Sequence, residues 1–209
     1  MTRSRSFLSF LFLLSSCAYS PEEYIHFVET SKNYVKEHEA DGFILRCAYR
    51  PQGYLALQEC LPAGEKGKEV SVQLFEKTKK MFSNGLYFTL KISAIDSSNV
   101  LMMNVKSQQE YSWRLNYLSN EMTNDFYVLT AQGDTIKSLI YEYQRSYGNS
   151  PDAYFIFSFP EKKIMQNGSD EIELIYQDKI LGLSRLVRWK YSMKEIKKQP
   201  KIKFQYENL

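Results

Sequence analysis

The chain has 209 residues, 44% of them hydrophobic and 15% aromatic, with a formal charge of +3. That composition excludes a disordered tail, and so small a charge leaves no electrostatic footprint for nucleic acid. The length fits one domain with a proper core.

Met1 to Cys17 reads MTRSRSFLSFLFLLSSC. Arg3 and Arg5 form a short basic region, Phe7 to Leu14 an apolar run broken only by Ser9, and Ser15-Ser16 lead into Cys17, the layout of an export signal. The apolar run is far shorter than the roughly 20 residues that cross a bilayer as a helix. Leu14-Ser15-Ser16-Cys17 resembles the lipobox of bacterial lipoproteins. That resemblance implies diacylation of the Cys17 thiol and cleavage just before it, giving a signal peptide over 1–16 and a single domain over 17–209. The competing readings are an ordinary secretory signal with an incidental cysteine, against which the absence of an Ala-x-Ala-like site speaks, and a buried N-terminal helix. Arg3 and Arg5 leave with the signal, so the remaining 193 residues carry 25 basic against 24 acidic side chains.

Ser20-Pro21-Glu22-Glu23 predicts a helix start, with serine as N-cap, proline at the first helical position and a capping box to Glu23. Tyr24, Phe27, Val28, Ser31, Tyr34 and Val35 extend an apolar stripe at helical spacing, and Gly42 suits the stop. Phe43 to Tyr49 predicts a strand, Tyr54 to Cys60 fits helix or hairpin equally, and Pro62 to Lys68 reads as a loop. Val70 to Phe82 is helical, while Leu86 to Ile92 alternates as a half-buried strand. Asp96-Ser97-Ser98-Asn99 turns the chain, and Val100 to Val105 is expected to return as a strand. Gln108 to Met122 reads as a helix. Phe126 to Thr130 and Ile136 to Tyr143 flank a hairpin turn at Gln132-Gly133-Asp134. Ala153 to Phe159 is a further strand, and Ile172 to Gln177 with Leu183 to Tyr191 form a last hairpin. Lys194 to Lys203, with five lysines around Glu195, reads as a solvated tail end, with an anionic headgroup or acidic partner as the second reading. This order predicts an α+β fold: an antiparallel sheet, half-barrel or sandwich-like, with helices mainly from the N-terminal half.

Catalytic and metal templates fail. His26 and His38 fall on the first predicted helix, where Glu22, His26 and Glu29 share a face, but no second histidine joins them and no metal is expected. There is no Gly-x-Ser-x-Gly elbow, no dinucleotide fingerprint and no Cys-x-x-Cys, and Gly64-Glu65-Lys66-Gly67-Lys68 lacks the spacer and hydroxyl of a phosphate loop. No catalytic residue and no cofactor is expected. Cys47 and Cys60 are an even pair that an oxidising compartment could bridge, against two free thiols in the fold. Sixteen tyrosines are the remaining resource. Tyr141, Tyr143, Arg145 and Tyr147 would share one strand face as a recognition surface, unless that face packs under the helices.

Tyr49-Arg50-Pro51 followed by Leu55-Ala56-Leu57, then Tyr87-Phe88-Thr89-Leu90 and Tyr147-Gly148-Asn149-Ser150-Pro151, resemble together a group of uncharacterised lipoproteins from Bacteroidota. Asp134-Thr135-Ile136 is similar to the O-glycosylation acceptor of that phylum, and a hairpin turn explains the same residues. The resemblance implies a location and transfers no site. The expectation is a non-enzymatic lipoprotein of the bacterial envelope, anchored to the outer membrane by acyl chains and acting as an interaction or assembly module on an envelope protein. The alternative is a glycan or lipid binder using a tyrosine-lined surface.

Overall fold

The structure is a computed structural model, and it describes residues 18–61, 70–146, 148–166 and 170–204. After a two-residue strand β1 (Ala18–Tyr19), helix α1 (Pro21–Thr30) starts as its sequence dictates. The Ser20 hydroxyl accepts the Glu23 N–H at 3.2 Å, and the Glu23 carboxylate accepts the Ser20 N–H at 2.8 Å. The helix ends at Thr30 rather than running to Gly42. Val35–Ala40 is strand β2, paired antiparallel with β3 (Phe43–Arg50) so that Ala40 faces Phe43 across a two-residue turn. Asp41 and Gly42 take φ of 49° and 86°, the double positive φ of a type I′ turn, whose twist matches the strands it joins. The long first helix is therefore overturned by a hairpin, and Gly42 serves that turn instead of a helix stop.

Gln52–Cys60 settles as helix α2, and α3 (Val72–Met81) and β4 (Gly85–Ala94) form where periodicity places them. The loop expected over Pro62 to Lys68 lies outside the described residues. No strand forms over Val100 to Val105. Asn99 turns the chain there, its side-chain oxygen accepting the Leu101 N–H and its carbonyl those of Met102 and Met103. Helix α4 (Gln108–Asn116) continues through a π turn (Tyr117–Glu121) and a 3₁₀ turn (Met122–Asn124). Strands β5 (Phe126–Thr130) and β6 (Thr135–Lys137) make the expected hairpin. The run predicted as one strand to Tyr143 breaks at Ser138-Leu139 and resumes as β7 (Ile140–Gln144) in the other sheet. Then come β8 (Ala153–Pro160), α5 (Glu161–Gln166), the hairpin β9 (Glu171–Tyr176) and β10 (Val187–Ser192), α6 (Met193–Lys197) and β11 (Lys201–Ile202). The lysine-rich end is thus folded, not a tail: β11 pairs in parallel with β1, Ala18 facing Lys201.

The architecture is α+β. A five-stranded sheet in the order β2-β3-β4-β8-β7 and a four-stranded sheet β10-β9-β5-β6 are antiparallel throughout. Alternation along β3, β4 and β8 sends Leu45, Cys47, Phe88, Leu90, Phe155 and Phe157 to one buried face. The smaller sheet closes on that face. Phe126 stacks on Phe157 with ring centroids 3.8 Å apart, and Tyr191 meets Phe88 edge-on at 5.1 Å. Such pairs add to the roughly 1.5–3 kcal/mol that each buried large apolar side chain supplies.

The two ends of the sandwich differ. At one end β3 runs into α2, and Gly53 of α2 sits so close to Ile202 of β11 that an added Cβ would lie 3.3 Å from its Cδ1. That end holds the helices α1 to α3, the first described residue Ala18 and the lysine-rich segment. The opposite end carries the Asp41-Gly42 turn, the turns over 95–104 and the loop over 177–186.

Candidate functional site

The loops at the end remote from Ala18 are held by polar anchors, two of them, Arg114 and Asp125, buried. Arg114, on α4 and only 8% exposed, donates from Nη1 to the carbonyls of Val100, Leu101 and Met103 at 3.1, 3.3 and 2.6 Å, and from Nη2 to that of Ile180 at 3.2 Å. One rigid guanidinium fork thereby ties two loops far apart in sequence, a task that needs its several coplanar donors. Burial lowers its pKa, and the charges of Asp178 and Glu110 oppose that shift.

Asp178 organises the second loop from within. Its carboxylate accepts the Tyr176 hydroxyl at 2.8 Å and the N–H groups of Ile180, Leu181 and Leu183 at 3.0 to 3.2 Å. Beside it Asp125, nearly buried, accepts the Tyr117 hydroxyl at 2.5 Å and pairs with Lys179 at 2.7 Å. Burial, then the adjacent carboxylates, push the Tyr176 and Tyr117 phenols up, so both remain protonated donors. Asp41 fastens the hairpin tip to the same loop by accepting the N–H and hydroxyl of Ser184 at 2.8 and 3.1 Å. Those bonds, the backbone one first, hold its carboxyl below the usual range. A depressed folded pKa adds stability above the ordinary carboxylate range and loses it as pH falls below that range, so this clasp opens in acid.

On these pinned loops stand large apolar side chains that water reaches. Ile95, Met102 and Leu186 are 50%, 56% and 41% exposed, and Trp113, next to Arg114 on α4, is 51% exposed. Ile95 donates its N–H to the Gly42 carbonyl at 2.9 Å, and the Met103 methyl lies 4.0 Å from where a Gly42 Cβ would stand, so Ile95 and Met103 border the hairpin tip, with Met102 the next residue in the chain to Met103. Leu186 follows Ser184, bonded to that tip, by two residues. Scattered single apolar residues need no explanation, but three on loops held by polar anchors and a fourth on α4 beside Arg114 stand at the same end of the sandwich.

The residues singled out from sequence are placed elsewhere. Cys17 lies outside the described residues. Tyr141 and Tyr143 turn toward the sandwich interior, half-buried, with rings on Phe155 and Phe157. The Tyr141 hydroxyl donates to the Leu118 carbonyl. Arg145 is exposed and donates to the Ser119 hydroxyl at 2.9 Å, and Tyr147 lies outside the described residues. Tyr141 and Tyr143 therefore belong to the packing of β7 and do not present open rings.

Cys47 and Cys60 are free thiols, so the bridge is not formed. Cys47 points into the sandwich core, fully buried, while Cys60 at the end of α2 lies 3.8 Å from the Thr78 hydroxyl of α3. Burial raises the Cys47 thiol to about 12, which leaves it inert at neutral pH. Of Cys47 and Cys60, brief alkylation of the folded protein at mild alkaline pH is expected to label only Cys60. A second label, at Cys47, is expected only on unfolding. Equal labelling of both in the native state would contradict the packing.

The histidines separate, His26 on α1 and His38 on β2, which corrects their expected place on one helix. Glu29 is engaged by the Tyr54 hydroxyl at 2.9 Å. Among the described residues no group of histidine, cysteine, aspartate and glutamate is placed to hold a metal ion. Glu22, Glu23, His26, Phe27 and Thr30 line, with Tyr19, an open cleft of about 480 Å³ beside β1. Among those residues also, no helix is long and apolar enough to cross a membrane.

Sequence reasoning passed over Arg114, Asp178 and Asp41. An arginine inside an apolar helical stripe, beside Trp113, Leu115 and Leu118, signals burial for Arg114. Asp41-Gly42 signals a hairpin tip by itself. Asp178 opens the turn between the last two strands, where an aspartate commonly accepts N–H groups two or three residues on, but its bond to Leu183 depends on the shape of the whole loop. Compared with known proteins, the chain matches no family model, no curated protein and no solved structure.

Proposed function

We propose that this chain is a lipoprotein of the bacterial envelope, held to the outer membrane by acyl chains on Cys17 and acting without catalysis as an interaction module. The observation that carries the reading is the exposed apolar set of Ile95, Met102 and Leu186 on loops, with Trp113 on α4, at the end of the sandwich that Arg114 and Asp178 tie together, remote from Ala18. An anchor at residue 17 would present that end away from the bilayer, toward another envelope protein. Anchoring needs two or three acyl chains at about 0.8 kcal/mol per buried methylene, since one chain alone is marginal.

The four side chains of that set are apolar, as those at the centre of a protein interface are. The test is a pair of charges on two of them: Met102→Glu with Leu186→Glu. Both residues are exposed, so melting is expected to shift by no more than a few degrees, while the neighbour crosslinked to the wild-type chain in intact membranes is lost. Retention of that same neighbour by a well-folded double variant would rule this surface out.

A further inference from the structure

Lys194, Lys197, Lys198, Lys201 and Lys203 are all exposed, and among the described residues none is within ion-pair distance of a carboxylate. Two features turn them outward together. On α6, Met193 and Ile196 are buried, which leaves Lys194 and Lys197 facing solvent, with Lys198 at the helix end. On the following strand the side chains alternate: Ile202 lies toward Gly53, and Phe204 packs on Phe75 with ring centroids 5.0 Å apart, so Lys201 and Lys203 take the other face.

Their place in the fold is the telling point. The parallel pairing sets Lys201 opposite Ala18, which is one peptide bond from Cys17, and the Lys203 N–H donates to the Tyr19 carbonyl at 2.8 Å. A segment almost two hundred residues away in sequence is thereby brought to the anchor point. Nearby acidic groups are partly engaged: Glu195 accepts from Asn33 Nδ2 at 2.9 Å, Glu23 closes the capping box, and Glu161 feels the charge of Lys197. Glu22 remains on the first turn of α1.

We infer that these five lysines form a basic face that lies on anionic phospholipid in the membrane holding the chain. The inference rests on the lipoprotein reading for its geometry, because acyl chains on Cys17 would put β11 at the headgroups. Each lysine near such a surface is attracted to it, and the attraction fades beyond roughly 8–10 Å at physiological salt. Strand pairing at about 4.8 Å keeps Lys201 inside that range. The face would fix which side of the molecule meets the bilayer, something flexible acyl chains cannot do.

The test uses the protein extracted from membranes, its intact mass first reporting whether Cys17 is acylated. It is then reconstituted into vesicles of phosphatidylcholine alone or of phosphatidylcholine with phosphatidylglycerol, and lysine reactivity toward an amine-labelling reagent is read by peptide mass spectrometry. On the anionic vesicles the five lysines are expected to label about fivefold more slowly than on neutral ones, with the difference erased by high salt. Lys137 and Lys179, placed elsewhere, serve as unchanged controls. A variant with Lys197, Lys198, Lys201 and Lys203 all changed to Gln is expected to lose the protection of Lys194 as well. Equal labelling of the five on both vesicles overturns the inference even where acyl groups are present, and then leaves the lipoprotein reading standing. Protection without acyl mass supports the basic face and refutes the anchor. Protection that appears only in native membranes, and not on anionic vesicles, points to an acidic protein and also overturns the inference.

Discussion

Arg114→Met is expected to lower stability by about 3–4 kcal/mol, the largest effect of any single change away from the apolar core. Four carbonyls lose a charged donor, and bonds of that kind contribute roughly 1.5–3 kcal/mol each. Methionine keeps the apolar stem and recovers the cost of burying a guanidinium, so the net loss is well below the gross sum. For a chain of this size the change corresponds to about 10 °C in melting temperature. Arg114→Lys is not expected to rescue, because an ammonium group cannot span carbonyls on two loops. Denaturant unfolding followed by tryptophan fluorescence checks the magnitude. A loss under about 1 kcal/mol would mean the carbonyls find water instead, and the loops would then be looser than the bond lengths imply.

Cys17→Ala has the largest expected effect on location. Without the thiol no thioether or acyl group forms, and about 0.8 kcal/mol per methylene disappears for two or three chains at once. The fold itself is expected to be unaffected, since the core residues from Tyr24 to Phe204 lie beyond Cys17. Fractionation of cells is therefore expected to move the mature chain from the membrane to the soluble pool. The five lysines alone would hold it weakly and in a salt-sensitive way. A Cys17→Ala chain that has lost residues 1–16 and still stays with membranes at high salt would refute the anchor.

Much of the fold could be read from short-range pattern. Period-two alternation in Leu86 to Ile92 located β4, and the capping box of Ser20 and Glu23 located the start of α1 to the residue. The failures came where a local signal has two uses. Gly42 suits a helix stop, but with Asp41 before it the pair is the stronger signal of a hairpin, and reading the dipeptide as a unit would have recovered β2. Val100 to Val105 has strand composition, yet Asn99 and the Arg114 clamp fold it into turns, and that tertiary contact leaves no mark in the segment itself. Ile136 to Tyr143 is rich in strand formers, but its alternation slips at Lys137-Ser138 and Leu139-Ile140, and there the two sheets divide it.

The candidate site was the least legible part. Tyrosine spacing drew attention to Tyr141 and Tyr143, whose rings turned out to be spent on Phe155 and Phe157. Ile95, Met102, Trp113 and Leu186 look like ordinary apolar residues in sequence, and only the folded loops leave them in water together at one end. The lysine cluster was visible as composition, but its pairing with the residue after Cys17 is a long-range contact that no local pattern encodes.

The anchor is the claim on which the orientation of both ends depends, and one measurement addresses it directly: the mass of the N-terminal peptide of the protein extracted from membranes, before and after mild alkaline hydrolysis. The account predicts a peptide that begins at Cys17, carries the mass of two or three acyl chains, and loses the ester-linked ones on hydrolysis. A peptide that begins elsewhere, or a Cys17 recovered as an unmodified thiol, would contradict it.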